Sequence, residues 1–151
     1  MTIDGEYTFR APRETVWELL QDPDVLVKAL PGAKKLERIG EDRFEGVMRV
    51  GVGPVTAAEW SVNVQLKDLV PPESYAMQME GKSPLGFTRG TGTVTLTAED
   101  ENSTRMNYHG DVQLGGKIAG VGQRLLDQVA KLIARQGLEA LNREVEARLA
   151  R

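Results

Sequence analysis

Residues 115–136, GGKIAGVGQRLLDQVAKLIARQ, constrain the fold more than any other stretch, because they close a series of alternating strands and open one long amphipathic helix. Ile118, Val121, Leu125, Val129, Leu132 and Ile133 recur at helical spacing and predict a single apolar face. Gly115, Gly116, Gly120 and Gly122 leave the start of that helix open to close approach. A helix with such a stripe, following a sheet, must bury it against that sheet. The expected fold is therefore a sheet wrapped around a terminal helix, with a gap between them that can hold an apolar ligand. The pattern then changes after Gln136 and Gly137. Leu138, Leu141, Val145 and Leu149 form a second stripe nearly opposite the first, which continues only through Ala140 and Ala147. Two readings stay open: a kink near Gly137 turns this stripe back onto the domain, or it packs on a second copy, a partner protein or, transiently, a membrane surface.

Upstream, residues 2–10 read as extended, with Ile3, Tyr7 and Phe9 between polar residues. Pro12 opens a short helix over 13–21, and a second is expected over 24–30, ended by Pro31 and Gly32. Strands follow over 33–40, 43–52, 55–69, 74–82, 87–99 and 104–114, separated by turn-forming clusters such as Gly53–Pro54, Pro71–Pro72 and Pro84–Leu85–Gly86. Period-two patterning puts Phe44, Met48, Val50 and Val52 on one face, and likewise Trp60, Val62, Val64 and Leu66. Tyr75, Met77 and Met79 form another set, as do Met106, Tyr108, Val112 and Leu114. One sheet face is apolar and the other wet, so the class is α+β: an antiparallel meander covered on one side by helices, forming a single domain over 1–151.

Several function classes are excluded on composition. A net charge of −3 gives no basic footprint for nucleic acid. With no cysteine and one histidine, thiolate chemistry and a His-rich zinc site are out, and the carboxylates show no metal-ligand spacing. The N-terminus lacks the pattern of a signal peptide and no apolar run reaches spanning length, so a cytoplasmic protein is expected. His109 alternates with inward residues and should face solvent, and the acidic run Glu99–Asp100–Glu101 reads as a hairpin tip. Gly90 and Gly92, in TRGTG, lack the strand–turn–helix context of a phosphate cradle and read as a bulge or bend.

What remains is an apolar interior. Met48, Met77, Met79 and Met106 fall on inward faces, and four adaptable side chains on one concave face suit a ligand pocket. The predicted walls are Met48, Val50, Val62, Met77, Met79, Phe87, Tyr108, Leu125 and Val129. Leu26 and Leu30, before Pro31–Gly32, are expected at the entrance, facing the Pro84–Leu85–Gly86 loop. No catalytic residue and no metal ligand is assigned.

Four segments carry a family resemblance: VWELLQDPDVLVKALPGAKKLERIG at 16–40, VGVGPVTAAEW at 50–60, GFTRGTGTVTLTAED at 86–100 and MNYHGDVQLGGKIAGVGQRLLDQVAKLIARQ at 106–136. They resemble the carbon monoxide dehydrogenase G-subunit family of the START-like, helix-grip (SRPBCC) superfamily, over nearly the whole chain. The resemblance implies a curved sheet of about seven antiparallel strands gripping the C-terminal helix, with two short helices after the first strand. It implies no catalytic residues and no covalent cofactor, but a bound quinone or lipid. It also implies a partner: a molybdenum hydroxylase of the carbon monoxide dehydrogenase type, served by membrane recruitment or electron relay at the inner face of the membrane. Membrane-associated members often carry a C-terminal anchoring extension; this chain stops at Arg151, so the expected membrane contact is transient. The leading expectation is a non-enzymatic carrier. Its rivals are an assembly factor with a filled core, or a cyclase or hydrolase using Tyr108 or an inward Arg as the acid or electrophile.

Overall fold

The computed structural model describes residues 1–52 and 55–150. The elements are β1 (Thr2–Phe9), α1 (Arg13–Leu19), α2 (Pro23–Ala29), β2 (Ala33–Gly40), β3 (Arg43–Val52), β4 (Val55–Val70), β5 (Ser74–Ser83), β6 (Gly86–Asp100), β7 (Ser103–Gly115), a 3-10 turn at Lys117–Val121, and α3 (Gln123–Leu149). The seven strands form one sheet in the order β1-β7-β6-β5-β4-β3-β2, and every neighbouring pair is antiparallel. Strands β2 to β7 are a meander, while α1 and α2 carry the chain from one sheet edge, β1, to the other, β2. The expected turn at Gly53–Pro54 lies outside the described residues.

Local chemistry explains the connections. Asp22 caps α2, its side chain accepting from the Asp24 N–H at 3.0 Å, and Pro23 sits where a helix loses nothing by lacking an N–H. The loop after β1 is tied down by the buried Thr104, whose hydroxyl donates to the Ala11 carbonyl at 2.7 Å. Gly116 and Gly122, at φ +82° and +100°, take left-handed turns on either side of the 3-10 segment that a side chain would strain.

The apolar interior is in two clusters. The larger gathers Phe9, Val16, Leu19, Tyr75, Leu96 and Met106 with Leu141 and Val145 of α3. The smaller is built on Trp60, Ile118 and Leu126, with Val50, Val62, Leu114, Leu125 and Val129 partly buried against it. Helix α3 thus spans both, and where it passes α2 the bare Gly137 lies beside the Ala29 carbonyl and Leu30.

This arrangement corrects the reading of the helix. Ile118 and Val121 belong to the separate 3-10 turn, so they do not share the phase of α3. The innermost residue of the first half is Leu126, not assigned to the stripe, whereas Leu132 is 41% exposed. The second stripe is covered within the chain: Leu141 is 4% and Val145 0% exposed, and only Leu149, at the last turn, is open. Helix α3 runs unbroken through Gly137, so no interruption is needed to bring the stripe home. Leu141 and Val145 thus need no second copy to cover them.

Candidate functional site

The pleat and the register decide which side chains look towards α3. Cross-strand partners share a face, so the pairings define rows across the concave side. One row runs Gly46, Val62, Gly81, Thr88, Leu114. The next is Phe44, Val64, Met79, Gly90, Val112, followed by Leu66, Met77, Gly92, Gly110, Ile3, and then by Tyr75, Val94, Tyr108, Gly5. Met48 pairs with Trp60, and Val50 lies two residues along the same face. On β2 these rows extend to Leu36, paired with Gly46, and Arg38, paired with Phe44; the Arg38 guanidinium lies 5.0 Å from the Phe44 ring centre and donates to the Gln21 carbonyl at 3.1 Å. The other polar groups of the rows include the hydroxyls of Thr88, Tyr75 and Tyr108.

The predicted wall residues Met48, Val50, Val62, Met77, Met79 and Tyr108 therefore face inward and are partly buried. Leu125 and Val129 join Val50 and Val62 around Trp60, while Met77 and Tyr108 lean on the larger cluster. The Tyr108 ring turns towards β1, its hydroxyl lying over the bare Gly5. Buried Tyr75 meets Trp17 edge to face with centroids 5.6 Å apart, and burial holds its phenol well above the ordinary tyrosine range.

Phe87 is the exception. It pairs with Lys82 and Gly115 on the outward parity, is 42% exposed, and carries the Arg89 guanidinium 5.6 Å from its ring centre. Its ring covers Gly115, where any Cβ would collide with it, so it shields bare backbone on the outside of the sheet. Leu26 and Leu30 are partly buried on α2, and Leu30 lies beside Gly137 of α3. The β5–β6 turn instead docks on the 3-10 segment, where the Leu85 carbonyl accepts from the Ile118 N–H at 2.8 Å. The two sides of the expected entrance thus rest on different parts of the helical layer.

His109 faces solvent, with Asp4 and Asp111 carboxylates 3.8 and 3.6 Å from its ring nitrogens. Among the described residues no group of three His, Asp or Glu is placed to hold a metal ion, and no helix is long and apolar enough to cross a membrane. Gly90 and Gly92 cause no bulge: the β5–β6 register is continuous from Gly86 to Thr95, and they lie flat on the concave face. Their inward parity was readable, since Gly90, Gly92 and Gly110 share the parity of Val94, Leu96 and Met106. Leu126, Leu114 and Leu85 are further apolar residues of this region that the sequence reading left out.

Two surface recesses, of about 340 and 360 Å³, lie at the β5–β6 hairpin and over the outward Asn63, Gln65, Lys67 and Gln78. Neither lies between the sheet and α3.

A conserved protein from Geobacillus kaustophilus has the same structure at a TM-score of 0.92 and 30% identity, covering 97% of this chain and 96% of that one. A START superfamily protein from Mycobacterium smegmatis shares the fold at a TM-score of 0.77 with 11% identity, covering 97% of each chain. The Zhui aromatase/cyclase of Streptomyces sp. R1128 shares it at 0.75 with 19% identity, covering 99% and 95%. No curated protein gives a match. The family profile of CoxG, the carbon monoxide dehydrogenase G subunit, matches residues 5–146. With nearly the whole chain covered, this protein belongs to the CoxG family, that of the carbon monoxide dehydrogenase G subunit, and carries the START-type helix-grip fold.

Proposed function

We propose that this protein is a carrier of an apolar small molecule, an isoprenoid quinone or another lipid, held between the sheet and α3. The observation that carries the reading is the concave face itself: partly buried valines and methionines and interleaved glycines, with the charged Arg38 at its β2 edge. Such a surface recognises its ligand by burial, at about 25 cal/mol per Å² of apolar area before ordering costs are subtracted. Within the family this fits service to a molybdenum hydroxylase of the carbon monoxide dehydrogenase type, by membrane recruitment or by relaying electrons through the bound quinone.

The test is transfer. Donor vesicles loaded with a naphthoquinone bearing an isoprenoid tail are mixed with acceptor vesicles, with and without the protein. Faster exchange at catalytic protein concentration supports a carrier; exchange at the spontaneous rate refutes it.

A second reading draws on one neighbour. The Zhui protein is an aromatase/cyclase on the same fold, and Tyr108 supplies a phenol on the inward face of the sheet. Conversion of a polyketone probe that is lost in Tyr108→Phe would establish that reading; recovery of the probe unchanged removes it.

A further inference from the structure

The outer surface of the β5–β6 hairpin carries an aromatic ring and two cations that a carrier's interior does not use. Lys82 and Phe87 are direct cross-strand partners, and Arg89 stands two residues along from Phe87 on the same outward face. All three are exposed. The Phe87 ring is held in place, because it lies against the bare Gly115 and the Arg89 guanidinium sits 5.6 Å from its centre. Glu80 stands directly across from Arg89, where opposite charges ordinarily gain by pairing. Yet among the described residues neither Lys82 nor Arg89 is in an ion pair. The guanidinium rests by the ring instead, so its planar fork of N–H donors stays open to a carboxylate from outside. Glu80, Lys82, Phe87 and Arg89 all line the recess of about 340 Å³ at this hairpin. A concave site with a fixed aromatic ring and an open arginine has the make-up of a protein-interface anchor, where aromatic residues and Arg carry most of the binding energy. A bilayer surface is flat and presents nothing that enters a recess.

We propose that this recess is a docking site for an acidic segment of a partner protein. An apolar side chain of that segment packs on Phe87 while a neighbouring carboxylate is held by the Arg89 fork, and Lys82 adds attraction. The site is independent of the carrier reading, since none of these side chains has the inward parity that faces α3. The stack of Phe87 and Arg89 exists before binding, so little ordering cost remains on association. Glu80, on the rim, repels an acidic guest and keeps the contact reversible.

The test starts without an assumed partner. A library of random dodecamer peptides displayed on phage is selected on the immobilised full chain, and fluorescence anisotropy measures the peptides obtained. The expected result is a consensus with Asp or Glu beside an apolar residue. Arg89→Ala should weaken binding of these peptides by about tenfold or more, and Arg89→Lys, which keeps the charge and loses the fork, by less. Phe87→Leu keeps Gly115 covered but loses the stack, and should cost about threefold to tenfold. Glu80→Gln should tighten binding by about twofold to fivefold, a gain that damage to the fold cannot produce. Thermal unfolding of each variant separates lost binding from lost structure. No enrichment above the unselected library, a consensus without acidic residues, or peptides that bind Arg89→Ala as tightly as wild type overturns the proposal. So does wild-type binding to phosphatidylglycerol vesicles that is lost in Arg89→Ala while no peptide binds, which would assign the patch to a membrane.

Discussion

Leu141→Ala probes the most consequential feature of α3, the return of its second apolar stripe to the chain's own core. Leu141 is 4% exposed and belongs to the cluster of Phe9, Leu19, Leu96 and Val145. Truncation removes three carbons, at about 0.8 kcal/mol for each methylene withdrawn from water, so the transfer loss alone is about 2.4 kcal/mol. The void left behind adds to this, because neighbours on a strand and on two helices cannot all close in, and buried Leu→Ala changes reach about 2–5 kcal/mol in total. Against a whole-domain stability of about 5–15 kcal/mol this is a large share, and in a domain of this size each kcal/mol moves Tm by about 2–4 °C. Urea unfolding of wild type and variant, at two protein concentrations a hundredfold apart, measures it. The expected outcome is a fall in midpoint at unchanged m, with midpoints independent of concentration in both proteins. A loss below about 1 kcal/mol, or a wild-type midpoint that rises with concentration, would show the stripe serving an interface instead.

Three further outcomes follow from particular residues. Gly137→Ala should stabilise by about 0.5–1 kcal/mol, because its Cβ meets nothing closer than 3.9 Å on α2 and the helix interior gains a better former; a lower Tm would show that α2 needs the bare position. Phe87→Ala should leave the affinity for any apolar probe within about twofold, since the ring points outward over Gly115, and a tenfold loss would place it inside. Tyr75 gives a pH dependence. Its folded-state pKa is raised by burial, while the unfolded phenol ionises near pH 10, so its contribution is complete below about pH 10 and is lost as pH rises towards the folded value. The slope is about 1.4 kcal/mol per pH unit for one proton, and Tyr75→Phe should remove that share of the alkaline loss; equal alkaline slopes in the two proteins would contradict the burial argument.

The order of elements and most of the inward parity were legible, because period-two alternation in β3, β4, β5 and β7 is a direct record of which face is dry. Met48, Val62, Met77 and Tyr108 were placed by that rule. Phe87 was misplaced because hydrophobicity was allowed to override it: counting from Val94 and Leu96 puts residue 87 outside, where the ring shields Gly115. The two stripes of the C-terminal segment are opposed within α3 itself and are both covered because they meet different clusters, Leu125 and Val129 packing around Trp60 and Leu141 and Val145 around Phe9 and Leu96. Counted from Leu126, one broad face carries Ile133, Gly137, Leu141 and Val145, with a small residue where α2 crosses.

Native mass spectrometry of the protein purified from its own source tests the carrier reading most directly. The predicted result is a population heavier than the 16.6 kDa chain by one apolar molecule, recovered by solvent extraction and identified as a quinone or lipid. Protein at the bare chain mass alone, together with no saturable uptake of menadione or parinaric acid, would contradict it.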